Sequence, residues 1–80
     1  MAHFLVYSKP GCHLCEDAVR VLTRFQAQTP FTLEEVNIED DPPLFAKYGE
    51  QIPVIFFNGE FLFEYAIDES ILRQKLEEVN

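Results

Sequence analysis

His3-Phe4-Leu5-Val6-Tyr7 is an unbroken, partly β-branched run, and Ser8-Lys9-Pro10-Gly11 after it has turn chemistry, so the chain is expected to open with a strand and its exit. From Leu14 the period becomes helical. Leu14, Ala18, Val21, Leu22 and Phe25 fall on one stripe and Glu16, Asp17, Arg20 and Arg24 on the other. Thr29-Pro30 breaks that pattern, and Phe31 to Ile38 alternates enough to predict a second strand, parallel to the first across the helical crossover. Glu39-Asp40-Asp41 offers an N-cap and Pro42-Pro43 suits a first helical turn, so a short helix through Leu44, Phe45 and Tyr48 is expected to end at Gly49.

Two apolar runs, Ile52 to Phe57 and Glu60 to Tyr65, flank Asn58-Gly59, the dipeptide of a tight antiparallel hairpin. Alternation in the second arm predicts Phe61, Phe63 and Tyr65 on one covered face, with Glu60 and Glu64 on the other. Asp68 and Ser70 can cap a last helix whose Ile71, Leu72, Leu76 and Val79 face the core. The predicted order is β-α-β-α-β-β-α in a single α/β domain spanning residues 1–80.

Hydrophobic residues make up 48% of the chain and eight are phenylalanines, so aromatic burial can hold so small a core without structural disulfides or a metal. Six basic residues against fourteen acidic ones give a net charge of −8, which argues against nucleic acid and anionic membranes as partners. The N-terminus lacks a basic region followed by a long apolar segment, and no apolar run approaches the roughly 18 residues of a membrane span. A cytoplasmic monomer is expected, in a compartment that keeps thiols reduced.

Both cysteines lie in Cys12-His13-Leu14-Cys15, where the first strand gives way to the first helix. A pair closing so short a loop gains little chain entropy, so it is there for chemistry or for a metal. Cys12 falls at the helix N-terminus, where unpaired backbone N–H groups and the helix dipole favour a thiolate, and Cys15 sits one turn later on the same face. This predicts Cys12 as attacking nucleophile and Cys15 as resolving thiol in a dithiol–disulfide cycle. His13, if partly protonated, and Lys9 would favour the thiolate, unless both are merely solvated; Glu16 opposes it, and Arg20 can partly neutralise Glu16 across i, i+4. A zinc site would use Cys-x-x-Cys as half of its ligands, with only His3 and His13 as further nitrogen donors.

The element order, with Ser8-Lys9-Pro10-Gly11-Cys12-His13-Leu14-Cys15-Glu16-Asp17-Ala18, Ile52-Pro53-Val54 and Asn58-Gly59, resembles the thioredoxin fold in its short form and, more closely, a family of small glutaredoxin-like proteins. The resemblance covers essentially the whole chain. It implies a mixed sheet ordered 2-1-3-4, with the first and third helices on one side and the second on the other. It also implies that Pro53 is cis and faces the cysteine loop, that Ile52 offers its backbone to a bound peptide or glutathione, and that Lys9 acts toward thiolate and glutathione. Tyr7, Phe56 and Tyr65 are read as core or rim aromatics. The implied activity is thiol–disulfide exchange on protein disulfides or glutathione mixed disulfides, with no bound cofactor and with glutathione as a candidate electron donor. The alternative is a redox-inert adaptor or a metal or iron–sulfur binding module of the same fold. Two departures stand out. The dipeptide between the cysteines is His-Leu rather than Pro-Tyr, and Tyr65-Ala66-Ile67-Asp68 replaces the Gly-Gly and acidic residue with which glutaredoxins grip glutathione, leaving Asp68 to present its side chain at the last helix.

Overall fold

The computed structural model describes residues 2–79, and of Val79 only the backbone, so the expected core role of the Val79 side chain lies outside the described residues. The elements follow the predicted order: β1 (His3–Ser8), α1 (His13–Gln26), β2 (Thr32–Asn37), α2 (Pro42–Tyr48), β3 (Val54–Phe57), β4 (Glu60–Glu64) and α3 (Glu69–Val79). One short element was not foreseen, a single 3-10 turn over Ile38–Asp40. It ends β2 before Ile38, whose side chain is thereby fully buried beneath α2 rather than carried on the strand.

The four strands form one sheet in the order β2-β1-β3-β4. β1 runs parallel to β2 and antiparallel to β3, and β3 is antiparallel to β4, so the sheet is mixed as expected. Alternation along β1 sends Phe4 and Val6 to one face, where they are buried with Ala18, Leu22 and Phe25 of α1 and Leu72 and Leu76 of α3. Tyr7 points the other way and meets Tyr48 of α2 at 5.1 Å and Phe56 at 5.4 Å between ring centroids. α1 and α3 therefore cover one face and α2 the other.

Local chemistry sets the ends. The Asp41 side chain accepts from the Leu44 N–H at 3.3 Å to cap α2, and Pro42 occupies the first turn, where a missing N–H costs nothing. Asp68 accepts from the N–H groups of Ser70 and Ile71, so it alone caps α3. The hairpin turn places both Asn58 (φ 52°) and Gly59 (φ 88°) in the left-handed region, as its two-residue loop requires.

Four core expectations are corrected. Ile71 is 42% exposed and Leu14 48% exposed, both on the rim of their helical stripes rather than in the core. In β4, Phe63 is buried opposite Ile55, but Phe61 pairs with Phe56 and is 55% exposed. The physical reason is a β-bulge: the register shifts between Ile55 and Phe56, Leu62 becomes the extra residue, and Phe61 and Phe63 emerge on opposite faces. Tyr65 lies beyond the strand, exposed, with a left-handed φ of 67°.

Candidate active site

Gly11 (φ 77°) turns the chain out of β1 so that Cys12 arrives as the N-cap of α1. The Cys12 sulfur accepts the Cys15 N–H at 3.2 Å, a cap made by sulfur in place of the usual oxygen. Cys12 is partly accessible, whereas Cys15 is 2% exposed, and both are free thiols. Cys12 at the N-terminus of α1 with Cys15 one turn on is the placement the sequence led one to expect; the burial of Cys15 is new.

Burial pushes the Cys15 thiol up from its ordinary 9.0 to about 12. The hydrogen bond to Cys12 and the charges of Cys12 and Glu35 push the same way, and a backbone hydrogen bond from Lys9 pulls it down. The sign for stability follows: between the unfolded value and about 12 only the unfolded chain loses this proton, so stability is intact below pH 9 and falls as pH rises through that window. The reduced protein should lose thermal stability faster over that range than Cys15→Ala, measured by melting curves at stepped pH.

The Ile52–Pro53 bond is cis, as the resemblance implied. Pro53 is buried and its carbonyl accepts the Tyr65 N–H at 2.9 Å. The Ile52 side chain packs with Cys15 and Ile38, next to Cys12, Tyr7, Leu44 and Tyr48, and its backbone precedes the first residue of β3 paired in the sheet. Lys9 lines two clefts: one of about 350 Å³ that it shares with Cys15, and one of about 580 Å³ that it shares with Lys47, Gln51 and Tyr65.

His13 is brought elsewhere. Its side chain is 94% exposed and its Nδ1 lies 3.5 Å from a Glu16 carboxylate oxygen. Arg20, expected to neutralise Glu16, pairs with Asp17 at 2.8 Å instead. Such exposed pairs contribute little to stability. Asp68 is engaged at the α3 N-terminus, three residues beyond Tyr65. Among the described residues there is no group of three or more His, Cys, Asp or Glu side chains placed to hold a metal ion.

Two residues that the sequence reading passed over belong to this site. Ser8 is buried and its hydroxyl donates to Glu35 at 2.9 Å, and both line the cleft that reaches Cys15. For Ser8 the signal was present, since it continues the inward series Phe4, Val6; for Glu35 it was not, since its sharing a face with Leu33 follows from the β1–β2 pairing.

The family described as "Glutaredoxin-like domain (DUF836)" matches residues 3–77 of this chain. The chain belongs to this glutaredoxin-like family. A glutaredoxin-like protein of Dictyostelium discoideum is 30% identical over 79 residues, covering 91% of this chain and 73% of the relative. The solution structure of a Nitrosomonas europaea protein superposes with a TM-score of 0.80 at 30% identity, covering 92% of this chain and 89% of the other. A mutant thioredoxin from Halobacterium salinarum, 20% identical, matches with a TM-score of 0.68 over 96% of this chain and 73% of its own. The glutaredoxin-like domain thus has the thioredoxin fold. Among its described residues no helix is long and apolar enough to cross a membrane.

Proposed function

We propose that this glutaredoxin-like domain is a thiol–disulfide oxidoreductase that cycles between a Cys12/Cys15 dithiol and disulfide. The observation that carries the reading is the asymmetry of the pair: an accessible Cys12 sulfur at the α1 N-terminus, accepting the N–H of a buried Cys15 one turn on. Helix N-termini favour negative charge, and the attacking species in exchange is the thiolate. Cys12 attacks one sulfur of a substrate disulfide, forming a Cys12–substrate disulfide and expelling the other sulfur as a thiolate. Cys15 then loses its proton and attacks Cys12, the internal disulfide forms, and the second substrate sulfur leaves. Two electrons pass from the dithiol to the substrate.

Ile52, packed with Cys15, would be the wall beside the cysteines, and with Pro53 next in the chain an extended substrate segment would lie against the Ile52 backbone. Lys9 acts as the fixed charge near Cys12, and His13, paired with Glu16, has at most a secondary part in holding the thiolate. Substrates are protein disulfides or glutathione mixed disulfides. The cleft that holds Lys9 and Lys47 suits a carboxylate-bearing thiol such as glutathione as reductant, and Asp68, at the α3 N-terminus, is the further residue assigned to its binding. We place the protein in the cytoplasm as a monomer, since a charge of −8 offers anionic surfaces no attraction.

The test is equilibration in glutathione buffers of stepped potential, followed by acid quench, alkylation and mass analysis. A Cys12–Cys15 disulfide that forms and disappears as a two-electron couple is the expected result. Two thiols that stay free throughout would sink the reading.

A further inference from the structure

The buried Cys15 thiol must lose a proton to resolve a mixed disulfide, and its surroundings oppose the charged form. The cleft that reaches it is walled by Ser8, Lys9, Cys15, Glu16, Glu35 and Asn37 and has a volume of about 350 Å³. It holds two carboxylates. Glu16 is paired with His13, on the exposed side of α1. Glu35 is also exposed, on the edge strand β2, but it stands beside Val6 in register and shares the face of Leu33, and the Ser8 hydroxyl holds one of its carboxylate oxygens at 2.9 Å. Ser8 is the one buried polar side chain among the described residues, and this bond is what occupies its hydroxyl. A buried hydroxyl in a strand otherwise facing the core costs free energy unless satisfied, so the pair is a built feature.

We propose that Glu35, oriented by Ser8, accepts the Cys15 proton across this cleft as Cys15 attacks Cys12. The step rests on the exchange reading above. The S–H bond of Cys15 breaks and the proton passes to a Glu35 carboxylate oxygen, directly or through solvent in the cleft. The sulfur lone pair forms the Cys15–Cys12 bond, and the Cys12–substrate bond breaks with its electron pair going to the substrate thiolate. Accepting the proton also neutralises Glu35, which removes the like charge that opposes the forming Cys15 thiolate. The other charged groups facing the sulfur are Lys9 from the β1–α1 turn and Glu16 and Cys12 from α1.

The sign of Glu35→Gln separates this from a field effect. A carboxylate that acted only through its charge would hinder Cys15, so its removal would speed resolution. A carboxylate that takes the proton would slow it on removal. The probe is 5,5′-dithiobis(2-nitrobenzoate), which releases one coloured thiolate when Cys12 attacks and a second when Cys15 resolves. In Glu35→Gln the first phase should keep its wild-type rate, while the second slows at pH 7 by about tenfold or more, a modest general-base contribution. The second phase should have an acid limb in the wild type that Glu35→Gln removes, its rate instead rising with pH as hydroxide takes the proton. Ser8→Ala should slow the second phase less than Glu35→Gln and leave the acid limb in place. A second phase that is unchanged or faster in Glu35→Gln, with the first phase intact, overturns the assignment and leaves the exchange reading standing. Absence of the first phase in the wild type overturns both.

Discussion

Cys12→Ser should reduce disulfide exchange to the solvent background, while Cys15→Ser should halt the same reaction one step later with the substrate still attached. The difference follows from where the two sulfurs lie. Cys12 is the accessible one, at the α1 N-terminus, and a serine hydroxyl there is too weakly acidic to replace a thiolate. Cys15 is buried, and that burial pushes its thiol up to about 12, so it is the poorer first attacker at neutral pH. Without it the Cys12 mixed disulfide has no internal thiol to release the product. Mass analysis after incubation with a glutathione disulfide or a disulfide peptide should therefore find one adduct on Cys15→Ser and none on Cys12→Ser. Adduct on Cys12→Ser at a rate near wild type would invert the assignment. Because Cys12 is partly accessible, the melting curve of Cys12→Ser below pH 9 should stay close to that of the reduced protein, whereas Cys15→Ser, which puts a hydroxyl among Ile38 and Ile52, should melt lower.

The parts of this site that were legible beforehand are those encoded in contiguous residues. Turn, Cys-x-x-Cys and helix start follow one another in sequence, so the N-cap position of Cys12 could be read from the change of period alone. The cis state of Pro53 could not; an isolated Ile-Pro is most often trans, and only resemblance pointed to the bond the structure shows. Glu35 was missed for a different reason. Two consecutive glutamates in a strand point to opposite faces, and choosing which one meets α1 requires the β1–β2 register, where Glu35 stands beside Val6 and Glu34 beside Leu5. His13 illustrates the reverse. Sequence put it between the cysteines, but a helical residue next to the cap points outward, where Glu16 one turn on is its partner. The misassigned face of Phe61 comes from the bulge at Leu62, which adds a residue on one strand with no glycine to announce it.

That bulge also fixes the last expected result, the contrast between Phe4→Ala and Phe61→Ala. Phe4 is fully buried at the centre of the main core, its ring 4.7 Å from that of Phe31 and 4.9 Å from that of Phe57 between centroids. Truncating it removes the largest kind of apolar contact and leaves a cavity that β1, paired on both edges, cannot collapse to fill. A loss of about 3–5 kcal/mol is expected. An 80-residue domain holds only about 4–12 kcal/mol in all, so Phe4→Ala should be marginal or unfolded at room temperature. Phe61, two residues from buried Phe63 and of the same type, meets the Phe56 ring at 6.2 Å and is otherwise open to solvent. Its truncation should cost about 1 kcal/mol or less. Urea unfolding followed by circular dichroism would measure both, with an unchanged slope showing that the native state is the same. If Phe61 instead lay on the core face beside Phe63, as uninterrupted alternation in β4 would place it, the two losses would be alike. The free-energy difference between these variants is thus a solution measurement of the β3–β4 register, and with it of the Val54–Glu64 pairing that holds β4 against β3 one residue beyond cis-Pro53.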